Sequence, residues 1–205
     1  MLLGMPTLIE TNSLEECAAL CKELQLDFIE LNMNLPQYQL DIPVINMHLS
    51  YGVYFTLPDR KVYLFSQYRE QYLKSITDFR EMCTDAIGDS GIKICIENCD
   101  GFPQFQKEAL QILLASPVFG LTFDIGHNHS CGGLDESYII ENKRYLHHMH
   151  MHDALGKKNH MALGTGELDL SKYLQLAEEQ SCRIVLETKT IEGLTQSVNW
   201  IPDRG

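Results

Sequence analysis

Four short segments of the chain each end on a side chain that can bind a metal or move a proton. They are Ile92-Lys-Ile-Cys-Ile-Glu97, Leu121-Thr-Phe-Asp124, His147-His-Met-His150 and Arg183-Ile-Val-Leu-Glu187. Successive terminal residues lie 26 to 37 positions apart, about the length of one strand–helix unit. In a parallel barrel the C-terminal ends of the strands meet on one rim, so these four groups would converge on a single pocket. Two Glu, one Asp and one His form an oxygen-rich donor set suited to one divalent ion, Mn2+ or Zn2+ first, with Mg2+ or Co2+ as alternatives. One carboxylate at a strand end is an ordinary solvent-facing residue. Four in register are what a metal centre requires.

All eight histidines fall between positions 48 and 160, seven of them from His127 onward. His127 follows Asp124 by three residues, at the start of the next loop. His160 precedes Leu163-Gly-Thr-Gly166, a turn whose glycines would let the backbone approach a ligand. His150 and His152 share a strand face by the two-residue period. Only the one nearer the rim centre is needed for a metal, which leaves the other to contact substrate or Asp153. His129, His147 and His148 read as satisfied core or surface residues.

The elements that must position these groups alternate from one end of the chain to the other. Strand candidates are Leu2 to Ile9, Asp27 to Asn32, Val44 to His48, Ile92 to Glu97, Leu121 to Asp124, Leu146 to His152 and Arg183 to Glu187. Helical patterns lie between them. Ser13-Leu-Glu-Glu16 has the form of a capping box, followed by Leu14, Cys17, Ala18, Cys21 and Leu24 at helical spacing. A Tyr-rich loop runs to about Leu64, and a long helix then carries Tyr68, Tyr72, Ile76, Phe79 and Ala86 on one face. Pro103 to Ala115, Leu134 to Arg144, Leu170 to Glu179 and Glu192 to Trp200 read as helices. Strands alternating with helices of this length imply βαβ units and a parallel sheet.

At 205 residues, with 44% hydrophobic and 21% charged residues, the chain has the material for one globular domain spanning 1–205. The formal net charge of -12, and basic residues that never run beyond adjacent pairs, argue against nucleic acid or an anionic membrane surface as a partner. No stretch approaches a membrane span. The N-terminal MLLGMPTLIET reads as a strand rather than a leader peptide. An odd count of seven cysteines on apolar positions suits reduced, structural thiols and a cytoplasmic setting.

The ordered set His48, Ile-Glu97-Asn98, Asp124-Ile-Gly-His127, His150-Met-His-Asp153, His160-x3-Gly-Thr-Gly166 and Leu-Glu187 resembles the xylose isomerase-like TIM-barrel superfamily. That superfamily includes sugar and sugar-phosphate isomerases and epimerases, inosose dehydratases and endonuclease IV. The resemblance implies a (β/α)8 barrel in which Glu97, Asp124, His150 and Glu187 bind one divalent metal. It also implies that Glu97 and Glu187 shuttle protons, while His48, His127, His152 and His160 contact substrate or a further metal. The implied activity is isomerisation or epimerisation of a small sugar or sugar phosphate by proton transfer next to a carbonyl. An inosose-type dehydratase, an apurinic-site endonuclease and a degenerate, non-catalytic barrel are the alternatives, and a homodimer would cover exposed sheet edges. Lys157, Lys158 and Lys189 are candidate anchors for a phosphate.

Two departures accompany the resemblance. The chain shows seven strand candidates where the family has eight, with the third βα unit missing near residues 38–43. Lys158 stands where endonuclease IV has an Asp two residues before the histidine matching His160, and the first histidine of its zinc cluster falls in the missing segment.

Overall fold

The computed structural model describes residues 1–7, 9–32 and 43–201. In chain order the elements are β1 (Leu2–Pro6), α1 (Leu14–Glu23), β2 (Phe28–Glu30), β3 (Val44–His48), a hairpin of β4 (Tyr54–Thr56) and β5 (Lys61–Tyr63), α2 (Leu64–Gln67) and α3 (Arg69–Ile87). There follow β6 (Lys93–Glu97), α4 (Gln104–Leu113), β7 (Phe119–Asp124), α5 (Ile125–Ser130), α6 (Glu136–Glu141), a 3-10 turn (Lys143–Tyr145) and β8 (Leu146–Met151). A second hairpin of β9 (Asp153–Leu155) and β10 (Lys158–Met161), then α7 (Leu170–Glu179), β11 (Arg183–Leu186) and α8 (Ile191–Trp200) complete the described chain.

All seven expected strands join one sheet in the order β2-β1-β11-β8-β7-β6-β3, and every pairing in it is parallel. The sheet curls as a barrel short of one unit, so β2 and β3 are its edges among the described residues. The expected gap at 38–43 lies outside the described residues except for Pro43. Side chains alternate across the strands. Leu3, Met5, Ile94, Ile96, Leu121, Phe123, Met149, Met151, Ile184 and Leu186 join the core cluster with the helices. Their neighbours in sequence face the concave side, where register sets His48 beside Glu97 and Asp124 beside His150. This is why the central strands carry polar residues without losing their core.

Local chemistry sets the element ends. The Ser13 hydroxyl accepts the Glu16 amide, and Glu16 reaches back to the Asn12 N–H at 2.7 Å, one residue earlier than a standard capping box. The first strand ends at Pro6, short of the expected Ile9, although the Thr7 N–H still donates to the Glu30 carbonyl. The Tyr-rich loop folds into the β4–β5 hairpin around Pro58-Asp59. The helix expected over 134–144 begins only at Glu136, and a separate helix, α5, springs directly from the end of β7. Gly132 and Gly133, both with positive φ, break the path between them. The Gly- and Lys-containing loop after β8 is the β9–β10 hairpin, turned at Gly156. All seven cysteines are unpaired thiols, and five of them are buried. Among the described residues no helix is long and apolar enough to cross a membrane.

Candidate metal centre

Glu97 ends β6, Asp124 ends β7, His150 lies on β8 and Glu187 follows β11, and the curl of the sheet brings all four together. One donor atom from each lies within 4.8 Å of the others. His150 Nδ1 is 3.2 Å from Glu97 Oε1, 3.3 Å from Glu187 Oε2 and 3.8 Å from Asp124 Oδ2. Ligands bound about 2.0–2.2 Å from one ion sit roughly 3.0–3.6 Å apart, so these spacings are close to the edges of a coordination shell. His150 Nδ1 and Glu187 Oε2 are also buried without a directed hydrogen bond. Buried polar atoms are almost always partnered, so two orphans facing each other in a carboxylate cluster fit a cation between them. The residues present therefore fit a divalent ion.

Electrostatics agrees. Burial disfavours charge on His150, but Glu97 and Glu30 outweigh it and hold the imidazole well above its usual range. Burial likewise opposes ionisation of Glu187, yet the His150 and His160 imidazoles press its carboxyl far below the ordinary carboxylate range. Asp124, fully buried, is pressed down by His152, His127 and His150 against the same penalty. Carboxylates outnumber cations here, and positive charge is what the cluster lacks.

Asp124 also caps α5: its Oδ1 accepts the His127 N–H at 2.6 Å, which fixes the following helix and its histidine. Asn98 clamps the same point by accepting the Asp124 N–H and donating to its carbonyl. His127 Nδ1 faces Asp124 Oδ2 at 3.5 Å and has no hydrogen-bond partner. His152, one residue beyond β8, places Nε2 3.1 Å from Asp124 Oδ1. The His160 backbone N–H meets His152 Nδ1 at 2.8 Å, so Nδ1 is the acceptor and Nε2 carries the proton toward Asp124. The His152 and His160 rings stack 4.3 Å apart. A Cβ on Gly126 would lie 1.9 Å from the His152 ring, so glycine is obligatory in the Asp124-Ile-Gly-His127 segment. His160 holds Asn159 through Nδ1 and turns Nε2 to within 3.5 Å of Glu187 Oε1. His48 is half exposed at the mouth, its Nε2 3.4 Å from Glu97 Oε2.

Every expected site residue thus reaches this pocket, but several neighbouring expectations need correction. The Gly164-Thr-Gly166 turn does not offer its amides to a ligand. Asp153 accepts the N–H groups of Ala154, Gly164, Gly166 and Leu168, and the two glycines permit close packing on Trp200 and Asp153. His152 is engaged mainly by Asp124 and His160, and its Nδ1 lies 3.4 Å from the Asp153 backbone carbonyl, while the Asp153 carboxylate is committed to the turn. His129 pairs with Glu167 near the surface as expected, but His148 is buried facing Glu30 rather than satisfied. Lys157, Lys158 and Lys189 are exposed.

Two residues went unnoticed in the sequence. Glu30, at the end of β2, lies 3.1 Å from His150 Nε2. It carries the same signal as the other four, an apolar run Phe28-Ile-Glu30 closed by a carboxylate. Asn46, in the interior of β3, donates to Glu97 Oε2 at 2.6 Å and accepts from the Thr122 hydroxyl at 2.7 Å. An amide inside a strand gives no comparable signal.

The family profile of xylose isomerase-like TIM barrels matches residues 13–204. The chain belongs to that family. Solved members of the fold resemble this xylose isomerase-like barrel over nearly its full length. A D-tagatose 3-epimerase-like protein superposes with a TM-score of 0.67 at 20% identity, covering 97% of this chain and 95% of its own. The probable 3-DHS dehydratase AsbF of Bacillus anthracis gives 0.71 at 12% identity over all of both chains. IolI, solved with a zinc atom, gives 0.67 at 17% identity over 97% and 95%. Likeness at these identities shows the fold. An uncharacterized protein of Methanocaldococcus jannaschii is 27% identical over 173 residues, 78% of this xylose isomerase-like chain. The chain matches only 55% of that relative's length.

Proposed function

We propose that the protein is a divalent-metal-dependent isomerase or epimerase of a small sugar or sugar phosphate, acting by proton transfer beside a carbonyl. The carrying observation is that Glu97 and Glu187 each bring a carboxylate oxygen to His150 Nδ1, at 3.2 and 3.3 Å. Glu97, Asp124, His150 and Glu187 would hold one cation, Mn2+ or Zn2+ first, which supplies Lewis acidity toward the substrate's carbonyl and adjacent hydroxyl. One glutamate removes the proton from the carbon next to the carbonyl, and the other returns it at the neighbouring carbon or the opposite face. Asn46 holds Glu97 in place during that exchange. His127, His160 and His48 line the approach and orient hydroxyl groups, while His152 keeps Asp124 aimed at the pocket. The reading is also supported by family membership, by epimerase-like proteins among the structural neighbours and by the zinc atom of IolI.

The acidic pocket and the net charge of -12 favour a neutral or singly phosphorylated polyol over a polyanionic duplex. A cytoplasmic location accords with seven unpaired thiols. The dehydratase reading rests on the AsbF likeness and shares the same enolising step. Incubation of a ketose panel in D2O separates the readings. Deuterium at the α-carbon of recovered or epimerised sugar supports the proposal; loss of water from a cyclic substrate alone supports the dehydratase. Metal-loaded protein that does neither contradicts catalysis.

A further inference from the structure

Glu30 stands outside the four-residue donor set yet touches its histidine. We infer that Glu30 is the positioning residue for metal capture, accepting a hydrogen bond from the Nε2–H of His150 so that Nδ1 is the nitrogen turned to the three other donors. The inference rests on the metal reading above and extends it to a fifth side chain. Its Oε2 lies 3.1 Å and its Oε1 3.3 Å from His150 Nε2. Nδ1 of the same ring faces Glu97, Glu187 and Asp124. The ring is therefore strung between one carboxylate on its outer nitrogen and three on its inner one.

Among the described residues the other polar neighbour of Nε2 is Asn46, with its Nδ2 3.5 Å away. That amide nitrogen already donates to Glu97 and its oxygen accepts from Thr122, so its orientation is fixed and it cannot accept from Nε2. Nε2–H consequently goes to Glu30. A ligating histidine commonly gives its second N–H to a carboxylate, which fixes tautomer and ring angle and raises the basicity of the ligating nitrogen. His148, two residues earlier on β8, adds a second contact: its Nε2 is 3.5 Å from Glu30 Oε1, and neither of its nitrogens has a hydrogen-bond partner. Glu30 also bridges elements. It comes from edge strand β2, three strands away from β8 in the sheet, so the contact crosses the concave face.

The test is zinc affinity, read by competition with a chromogenic chelator, for wild type, E30Q, E30A and E187Q. Histidine 15N shifts give the His150 tautomer in each zinc-loaded protein. E30A should bind zinc roughly 10–100-fold more weakly than wild type. E30Q, which keeps a neutral acceptor of the same size, should fall between them and retain the wild-type tautomer. Wild-type affinity in both Glu30 variants, with zinc held by the parent and lost in E187Q, overturns this inference alone. A parent protein that holds no zinc overturns this inference together with the metal reading.

Discussion

At Glu187 one carboxylate oxygen lies 3.5 Å from His160 Nε2 and the other 3.3 Å from His150 Nδ1, the second with no directed partner. In the proposed mechanism this placement lets Glu187 exchange a proton with the substrate. Glu187→Gln should reduce α-carbon deuterium exchange by about 10²–10⁴-fold while far-UV circular dichroism stays at wild type. Exchange at the parent rate would remove Glu187 from the mechanism. Asp135 supplies a titration remote from the pocket. Burial pushes its carboxyl up, the Phe102 N–H pulls it back in part, and Oδ2 has no partner. Its native pKa is above the unfolded value of about 3.9, so the native state loses stability as pH rises through that interval and keeps the penalty above it. Asp135→Asn should remove that slope: relative to wild type, its stability in urea should improve from pH 4 to pH 7. A constant difference across that range would count against the assignment.

At the scale of elements, the loop after β8 depends on one carboxylate. Four backbone amides converge on Asp153, and an alanine there leaves them without an acceptor. Asp153→Ala should cost about 3 kcal/mol or more, with fast hydrogen exchange at Gly164 and Gly166. The sheet interior makes a parallel statement about thiols. Burial drives Cys95 and Cys182 up to about 12, so neither forms thiolate near neutral pH. Iodoacetamide should label Cys99 and Cys131 first, and Cys95 and Cys182 only after denaturation. What the sequence discloses follows the same division. The short apolar runs between helical patterns disclose all seven strands, because parallel strands covered on both faces are largely apolar and turn polar mainly where they line the pocket. The β4–β5 and β9–β10 hairpins are missed because short antiparallel pairs of mixed residues have no hydrophobic face to advertise them. The Gly164-Thr-Gly166 turn misleads for a related reason: glycine announces close approach but not what approaches.

On the scale of the molecule, the open seam between β2 and β3 and the site are one problem. Glu30 from one edge reaches His150, and Asn46 from the other reaches both His150 and Glu97, so the polar cluster spans the concave face between the two edge strands of the described residues. A cation bound by the native chain alone stabilises it by mass action, about 2.7 kcal/mol at a hundred times the dissociation constant. Thermal unfolding should therefore move upward with added Mn2+ or Zn2+ and return on chelation, with slower exchange at both edge strands. An unchanged midpoint would mean that the native chain gains nothing from the ion.

The most direct test is an anomalous-scattering map of crystals soaked in Mn2+ or Zn2+. The arrangement predicts one strong peak per chain, bound at about 2.0–2.2 Å by Glu97, Asp124, His150 and Glu187. Those four side chains well ordered around no peak, or turned away from one another, would contradict it.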